Sequence, residues 1–249
     1  MPGPLPLSMT WKTDYWRQSR RPLVGLAFTL PPLLLYEAGM LFSGPTAARN
    51  GADLWLRSTL DAMGLTGYFL LPLLTIFVLL AWHHTTRDRW SVPKAVLIGM
   101  LFESALLGLI LLFVAHLQGA LASIRFGIAG HAPHATPLAP RADLGHMIGF
   151  LGAGIYEEVL FRLLLLPLLF AAIGLMGASA MSRRYGAVLL ASLVFSVAHY
   201  VGPYGDSFAW FSFGFRFLAG GFFSVLFVVR GFGIAAGAHA LYDIFASVL

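Results

Sequence analysis

Three short constellations in the C-terminal half of the chain set chemically competent side chains into apolar sequence: Glu157-Glu158-Val159-Leu160-Phe161-Arg162, Phe195-Ser196-Val197-Ala198-His199 and His239-Ala240-Leu241-Tyr242-Asp243. The first puts three full charges inside a run that is otherwise apolar from Met147 to Phe170. Each such charge at the centre of a membrane helix costs on the order of 3 kcal/mol on insertion scales, so a cluster of them calls for a partner and a purpose. Helical spacing supplies the partner. Glu158 and Arg162 lie four residues apart on one face, whereas Glu157 is rotated by about 100° and does not share that contact. One glutamate is then neutralised and the other is left free for acid/base work.

In the second constellation the ring of Phe195 lies one helical turn from the imidazole of His199, and in the third His239 and Asp243 share a face. Each alone reads equally as polar glue between helices. Together they put Glu157, Glu158, Arg162, His199, His239 and Asp243 on three helices, each position well inside its own span, so that a bundle could gather them at one buried point. Gly145 and Gly149 before the glutamates, and Gly233 and Gly237 before His239, have the spacing that lets membrane helices approach closely. A water held between Glu157 and a histidine could lose a proton to the carboxylate and attack a carbonyl, with imidazole or carboxyl donors opposite stabilising the oxyanion. That chemistry is peptide-bond hydrolysis within the membrane.

The elements that must position these groups follow from hydropathy. Of 249 residues 58% are hydrophobic and 11% charged, the composition of an integral membrane protein. Apolar runs predict an all-α polytopic bundle of about seven spans, near Leu23 to Phe42, Thr66 to Trp82, Val92 to Leu117, Met147 to Phe170, Gly186 to Val201, Phe208 to Val229 and Phe232 to Leu249. The chain reads as one integral membrane domain, 1–249, with a cytoplasmic N-terminal segment 1–21 and a catalytic core 147–249. Lys12, Arg17, Arg20, Arg21, Arg87, Arg89, Lys94, Arg183, Arg184 and Arg230 fall on one side if the N-terminus is cytoplasmic, so the positive-inside rule predicts N-in and C-out. The connections Ser43 to Leu65 and Gln118 to His146, the second punctuated by Pro133, Pro137 and Pro140, read as extracytoplasmic loops. The formal charge of +5 has no basic stripe with interleaved aromatics, so anionic lipid and not nucleic acid is the expected contact. Without cysteine, disulfides, thiolate nucleophiles and cysteine metal sites are excluded.

The three motifs in this order resemble the CPBP family of intramembrane proteases, which includes the CAAX-processing proteases related to Ras-converting enzyme. Its marks are E-E-x-x-x-R, F-x-x-x-H and H-x-x-x-N or H-x-x-x-D, and the likeness covers Met147 to Leu249. The resemblance implies that Glu157 is the general base, assisted by His199, that His239 and Asp243 face the oxyanion, and that Glu158 and Arg162 support them. Where relatives carry asparagine at the last position, Asp243 either donates when protonated or orients His239. The implied partners are the bilayer and a membrane protein or peptide substrate: prenylated CAAX proteins, bacteriocin leaders, signalling peptides or C-terminal sorting tails. The expected location is the inner membrane of a prokaryotic cell.

No cofactor is favoured. Glu157, His199 and His239 could instead hold zinc, although no His-Glu-x-x-His is present and pairing of Glu158 with Arg162 competes with a metal. Aspartyl and rhomboid-type serine proteases lack their Gly-x-Gly-Asp and Gly-x-Ser-Gly signatures. A proton-coupled transporter would show inverted halves, which are absent from the sequence, and a non-enzymatic scaffold or immunity protein would have no need of a free Glu157. Depth places Glu157 and His239 near mid-membrane and His199 toward the extracytoplasmic half, which favours a site opening outward. Pro31-Pro32 is expected to kink the first span. Glu37 and Glu103 read as cavity-lining, paired or interfacial acids, and His83-His84 as interfacial groups. His116, His131, His134 and His146 read as loop histidines. Arg216 is expected to pair with Glu37, Glu103 or Asp243, or to meet a substrate carboxylate.

Overall fold

The computed structural model describes residues 14–43, 49–126, 144–202 and 205–249, and all regular structure among them is helical. Helix α1 (Pro22–Ser43) runs through Pro31 and Pro32, and is followed by α2 (Gly51–Ala62), α3 (Leu70–Thr86) and α4 (Lys94–Phe126). Helix α5 (Leu144–Glu158) passes through a π-helical turn (Val159–Leu165) into α6 (Leu166–Leu175); α7 (Ala180–Ala198), α8 (Trp210–Arg230) and α9 (Phe232–Val248) complete the bundle. Lys12, His131, His134, Pro133, Pro137 and Pro140 lie outside the described residues.

Every one of the seven apolar runs is helical, and among the described residues four segments are long and apolar enough to cross a bilayer: Pro22–Ser43, Lys94–Ser123, Gly145–Leu175 and Trp210–Arg230. Helices α3 and α9 are apolar but shorter, and α7 opens with Arg183 and Arg184. Four of the seven expected spans thus have the length and apolarity to cross a bilayer, and the other three helices are shorter or carry charge. The protein is an integral membrane protein. The stretch expected as a plain loop after α1 contains α2, whose Asn50 accepts the Asp53 amide at 2.8 Å as an N-cap. His116 is not in a loop but inside α4, where its Nδ1 lies 2.9 Å from the Leu112 carbonyl. His83 is fully buried, edge-on to Trp90 at 4.7 Å, so only His84 of that pair is surface decoration.

Helix α9 is the axis. Phe232 to Ala236, Ala238, His239, Ala240 and Tyr242 are all buried, and a helix buried on every side is enclosed by protein and not by lipid. Helices α1, α4, α5 and α8 pack around it. Small residues make this possible. A Cβ on Gly154 of α5 would lie 2.6 Å from the Ala240 amide nitrogen, and one on Gly233 would lie 2.8 Å from Cα of Gly25. The pair Gly233 and Gly237 thus faces helices α1 and α4 as its spacing suggested. The pair Gly145 and Gly149 does not: Gly149 has no atom near its missing Cβ, and both residues line a cavity.

Charged locks tie the two ends of the bundle. At one end Arg230 grips both oxygens of Glu103 at 2.5 and 2.6 Å, lies 3.8 Å over the Trp16 ring, and Tyr15 donates to the same carboxylate. At the other, Arg57 bonds Glu37 at 2.8 Å and Asp53 at 2.6 Å, Arg49 bonds Asp53 at 2.6 Å, and Tyr36 donates to Asp53. Tyr156, next to the catalytic candidate Glu157, donates to Glu37. Glu37 and Glu103 are thus paired structural acids.

Two substitutions separate these packing roles. Gly154→Ala drives a methyl into the α9 backbone and lowers the thermal midpoint in detergent, whereas Gly149→Ala leaves it unchanged. Arg57→Ala takes one cationic partner from each of two buried carboxylates, Glu37 and Asp53, and lowers the same midpoint.

Candidate active site

The glutamate pair sits at the end of α5, where the helix changes pitch. Pro167, two residues beyond the π turn, lacks the amide that an α-helix would aim at residue 163, and its ring presses on that carbonyl; a wider turn relieves the conflict. The amide of Leu166 accordingly reaches back to Phe161. Across this turn Glu158 and Arg162 keep their shared face, with Arg162 Nη1 3.0 Å from Glu158 Oε1, an ion pair that lacks the alignment of a hydrogen bond. Both side chains are inaccessible to solvent. The guanidinium is held further by the Gly220 carbonyl of α8, which Nη2 meets at 3.2 Å, and by the ring of Phe195 at 4.4 Å.

The histidines reach the glutamates from α7 and α9. His239 Nδ1 lies 2.8 Å from Glu158 Oε1, which can only accept, so Nδ1 carries the proton and Nε2 turns toward Glu157. His199 Nδ1 lies 2.8 Å from the Phe195 carbonyl, which fixes its tautomer in the same sense. The Nε2 atoms of His239 and His199 are then 3.7 and 3.9 Å from Glu157 Oε2, and Asp243 Oδ2 is 3.7 Å from His239 Nε2. Glu157 Oε2 is buried and has no hydrogen-bond partner among the described residues. These separations are too long for direct hydrogen bonds, and a single oxygen at about 2.8 Å from each atom would bridge them.

All six residues singled out in the sequence meet here, with three revisions. His199 does not lie inside its helix but forms the C-cap of α7, and its carbonyl accepts the Asp206 amide at 2.9 Å. Glu158, not Asp243, orients His239: the carboxylate of Asp243 is beyond hydrogen-bonding reach while that of Glu158 is within it. Arg216 pairs with Asp206, not with Glu37, Glu103 or Asp243. The sequence reading also missed Phe223, whose ring stacks on His239 at 4.3 Å and 13°. Its signal was present as an aromatic in a Gly-Gly-Phe-Phe run of the sixth apolar segment, but nothing in that pattern marked one phenylalanine above the next. Among the described residues no group of three or more histidine or acidic side chains is arranged to hold a metal ion.

A cavity of about 880 Å³ leads to this cluster. His199, His239, Asp243, Phe195 and Phe223 line its inner part, and Ser43, Asn50, Gly145, Ser212 and Ser247 line the part at the helix ends. Those ends of α1, α2, α5, α8 and α9 lie together, opposite the end that carries Arg20, Arg87, Lys94, Arg184 and Arg230. Its walls are largely apolar, with a few polar groups, in the manner of a substrate site.

No curated protein and no solved structure matches the chain. Residues 144–245, which span the glutamates, both histidines and Asp243, match the family described as type II CAAX prenyl endopeptidase Rce1-like. The likeness to the Rce1-like, CAAX-type protease family therefore rests on this C-terminal segment, 102 of the 249 residues.

Proposed function

We propose that the protein is a glutamate-dependent intramembrane endopeptidase that removes a short C-terminal tail from a membrane-anchored or lipidated protein. The observation that carries this reading is the buried, unpartnered Oε2 of Glu157 facing two imidazole Nε2 atoms across a gap of one oxygen. A water there donates one proton to Glu157 and the other to His199, which aims its remaining lone pair at a peptide carbonyl. As the oxygen attacks, Glu157 takes its proton. The oxyanion meets Nε2–H of a protonated His239, whose Nδ1–H is anchored by Glu158. Glu157 then returns the proton to the leaving nitrogen as the carbon–nitrogen bond breaks, so that one water is added across the bond. Phe223 beneath the imidazole and Arg162 behind Glu158 hold the acceptor side rigid.

The catalytic test is cleavage of tail peptides by purified protein in lipid. Glu157→Gln removes the base and lowers kcat by about 10²- to 10⁴-fold; His199→Ala falls within the same range. Glu158→Gln keeps an acceptor for Nδ1 but loses the counter-charge, and kcat falls while KM holds. A strong chelator leaves wild-type cleavage unchanged. Activity that a chelator abolishes and zinc restores makes Glu157, His199 and His239 metal ligands instead, and activity that survives Glu157→Ala overturns the assignment.

The family description names CAAX prenyl endopeptidases, and the cavity adds a direction to that substrate class. With the N-terminus cytoplasmic and all seven apolar helices crossing, the helix ends around the cavity face outward. Because the chain has no cysteine, single cysteines report this directly. Ser247→Cys reacts with a membrane-impermeant thiol reagent added outside intact cells of the inner membrane, and Arg184→Cys reacts only after permeabilisation. The reverse pattern places the cavity on the cytoplasmic side.

A further inference from the structure

Of the two arginines that line the cavity among the described residues, Arg216 is the one whose charge is poorly matched. Arg49, the other, is bound by Asp53 at 2.6 Å, a carboxylate with no exposure. Arg216 instead bonds Asp206, whose side chain is 58% exposed while its own is 21% exposed, and an ion pair with so solvated a partner contributes little. Its guanidinium lies 5.0 Å over the Tyr200 ring, and Nη1 is buried with no hydrogen-bond partner among the described residues. A second cavity-lining donor, Asn50 Nδ2, is also buried and unpartnered. Donors stranded without acceptors on the wall of one cavity call for a ligand that brings acceptors, and a fixed guanidinium calls for one that brings negative charge.

The cavity is also electrically directional. The carboxylates of Glu157 and Asp243 stand beside His239, while Arg216 lies two turns of α8, about 10 Å of rise, nearer the helix end than Phe223, the ring stacked on His239. A substrate anion is repelled from the hydrolytic end and drawn to the arginine. Resting on the protease reading, we infer that Arg216 binds the free C-terminal carboxylate of the substrate at Nη1, with Asp206 retained on Nη2. The enzyme thereby selects true chain ends over internal segments. The bond cut lies within a few extended residues of that terminus, since about 3.3 Å of chain is gained per residue.

The test separates recognition from cleavage. A short apolar peptide with an N-terminal fluorophore is made as the free acid and as the C-terminal amide, and its binding to the Glu157→Gln protein in nanodiscs is read by anisotropy. The acid binds about 10- to 100-fold more tightly than the amide, the ratio expected for one charge-assisted contact. Equal affinity for the two peptides overturns the inference without any change at residue 216. Arg216→Met lowers acid affinity to that of the amide, Arg216→Lys retains part of the preference, and Asp206→Asn keeps or raises it. A preference that persists in Arg216→Met assigns the carboxylate to another residue and overturns the role of Arg216. Wild-type protein that binds the acid selectively and cleaves neither peptide refutes the protease reading and leaves the anchor standing.

Discussion

The carboxylate of Glu158 is the contact on which the site depends. One oxygen faces both Arg162 and Nδ1 of His239, and none of the three side chains is more than slightly exposed. Withdrawing a carboxylate and a guanidinium from water costs several kcal/mol per ion even after relaxation, and the ion pair recovers that cost only with further partners. Here the partners are aromatic faces and a carbonyl: Phe195 and Phe223 lie under the guanidinium, and the Gly220 carbonyl accepts from it. The same two rings contact the histidines, Phe195 edge-on to His199 at 4.8 Å and Phe223 stacked on His239. Neutralising Arg162 and orienting the imidazoles are therefore one construction, and it joins helices α5, α7, α8 and α9.

That construction needs α5 and α9 close together. Gly154 and Ala240 bring the backbones into contact one turn from the reacting groups, and the charged locks at both ends stop the bundle from sliding. The lock of Glu37, Asp53, Arg49 and Arg57 does more than staple α2 to α1. Through Tyr156 it fixes the residue adjacent to Glu157, so Glu157 is steadied from the outer end as Glu158 is by Arg162. A helix that ends in a π turn is free to change phase there, and these two anchors on either side of Glu157 define the phase it keeps.

Much of this was legible before any coordinates. The different faces of Glu157 and Glu158, the ion pair with Arg162, the ring beside His199 and the meeting of three helices all follow from side-chain spacing, because intramembrane charges are too costly to be scattered. What spacing does not encode is partner choice across helices. Asp243 lies on the face of His239 and reads as its natural orienter, yet the rotamers give that place to Glu158, eighty-one positions away. Arg216 had four candidate partners and took Asp206, on a segment whose path no periodicity predicts. Helix α2 was missed because its apolar residues serve a buried charge cluster and not a spanning stripe. Helix α9 shows what hydropathy leaves open: protein encloses its first turns, and an apolar run does not distinguish protein from lipid surroundings.

The aspartate at 243 can be understood from the charge of the whole cluster. Glu157, Glu158 and Asp243 bring three carboxylates to a buried point that holds one guanidinium, Arg162. Four acceptors, including Nε2 of His199, converge on a gap that a single water can supply with only two protons. Both mismatches ease when His239 carries a second proton: the net negative charge falls by one, and a donor appears at Nε2 toward the place where an oxyanion would form. Asparagine at this position would supply such a donor itself. Aspartate cannot while ionised, and it stands 3.7 Å from Nε2 of His239, whose Nδ1 is held by Glu158. In the proposed mechanism the donor toward the oxyanion is then supplied by His239 and not by residue 243.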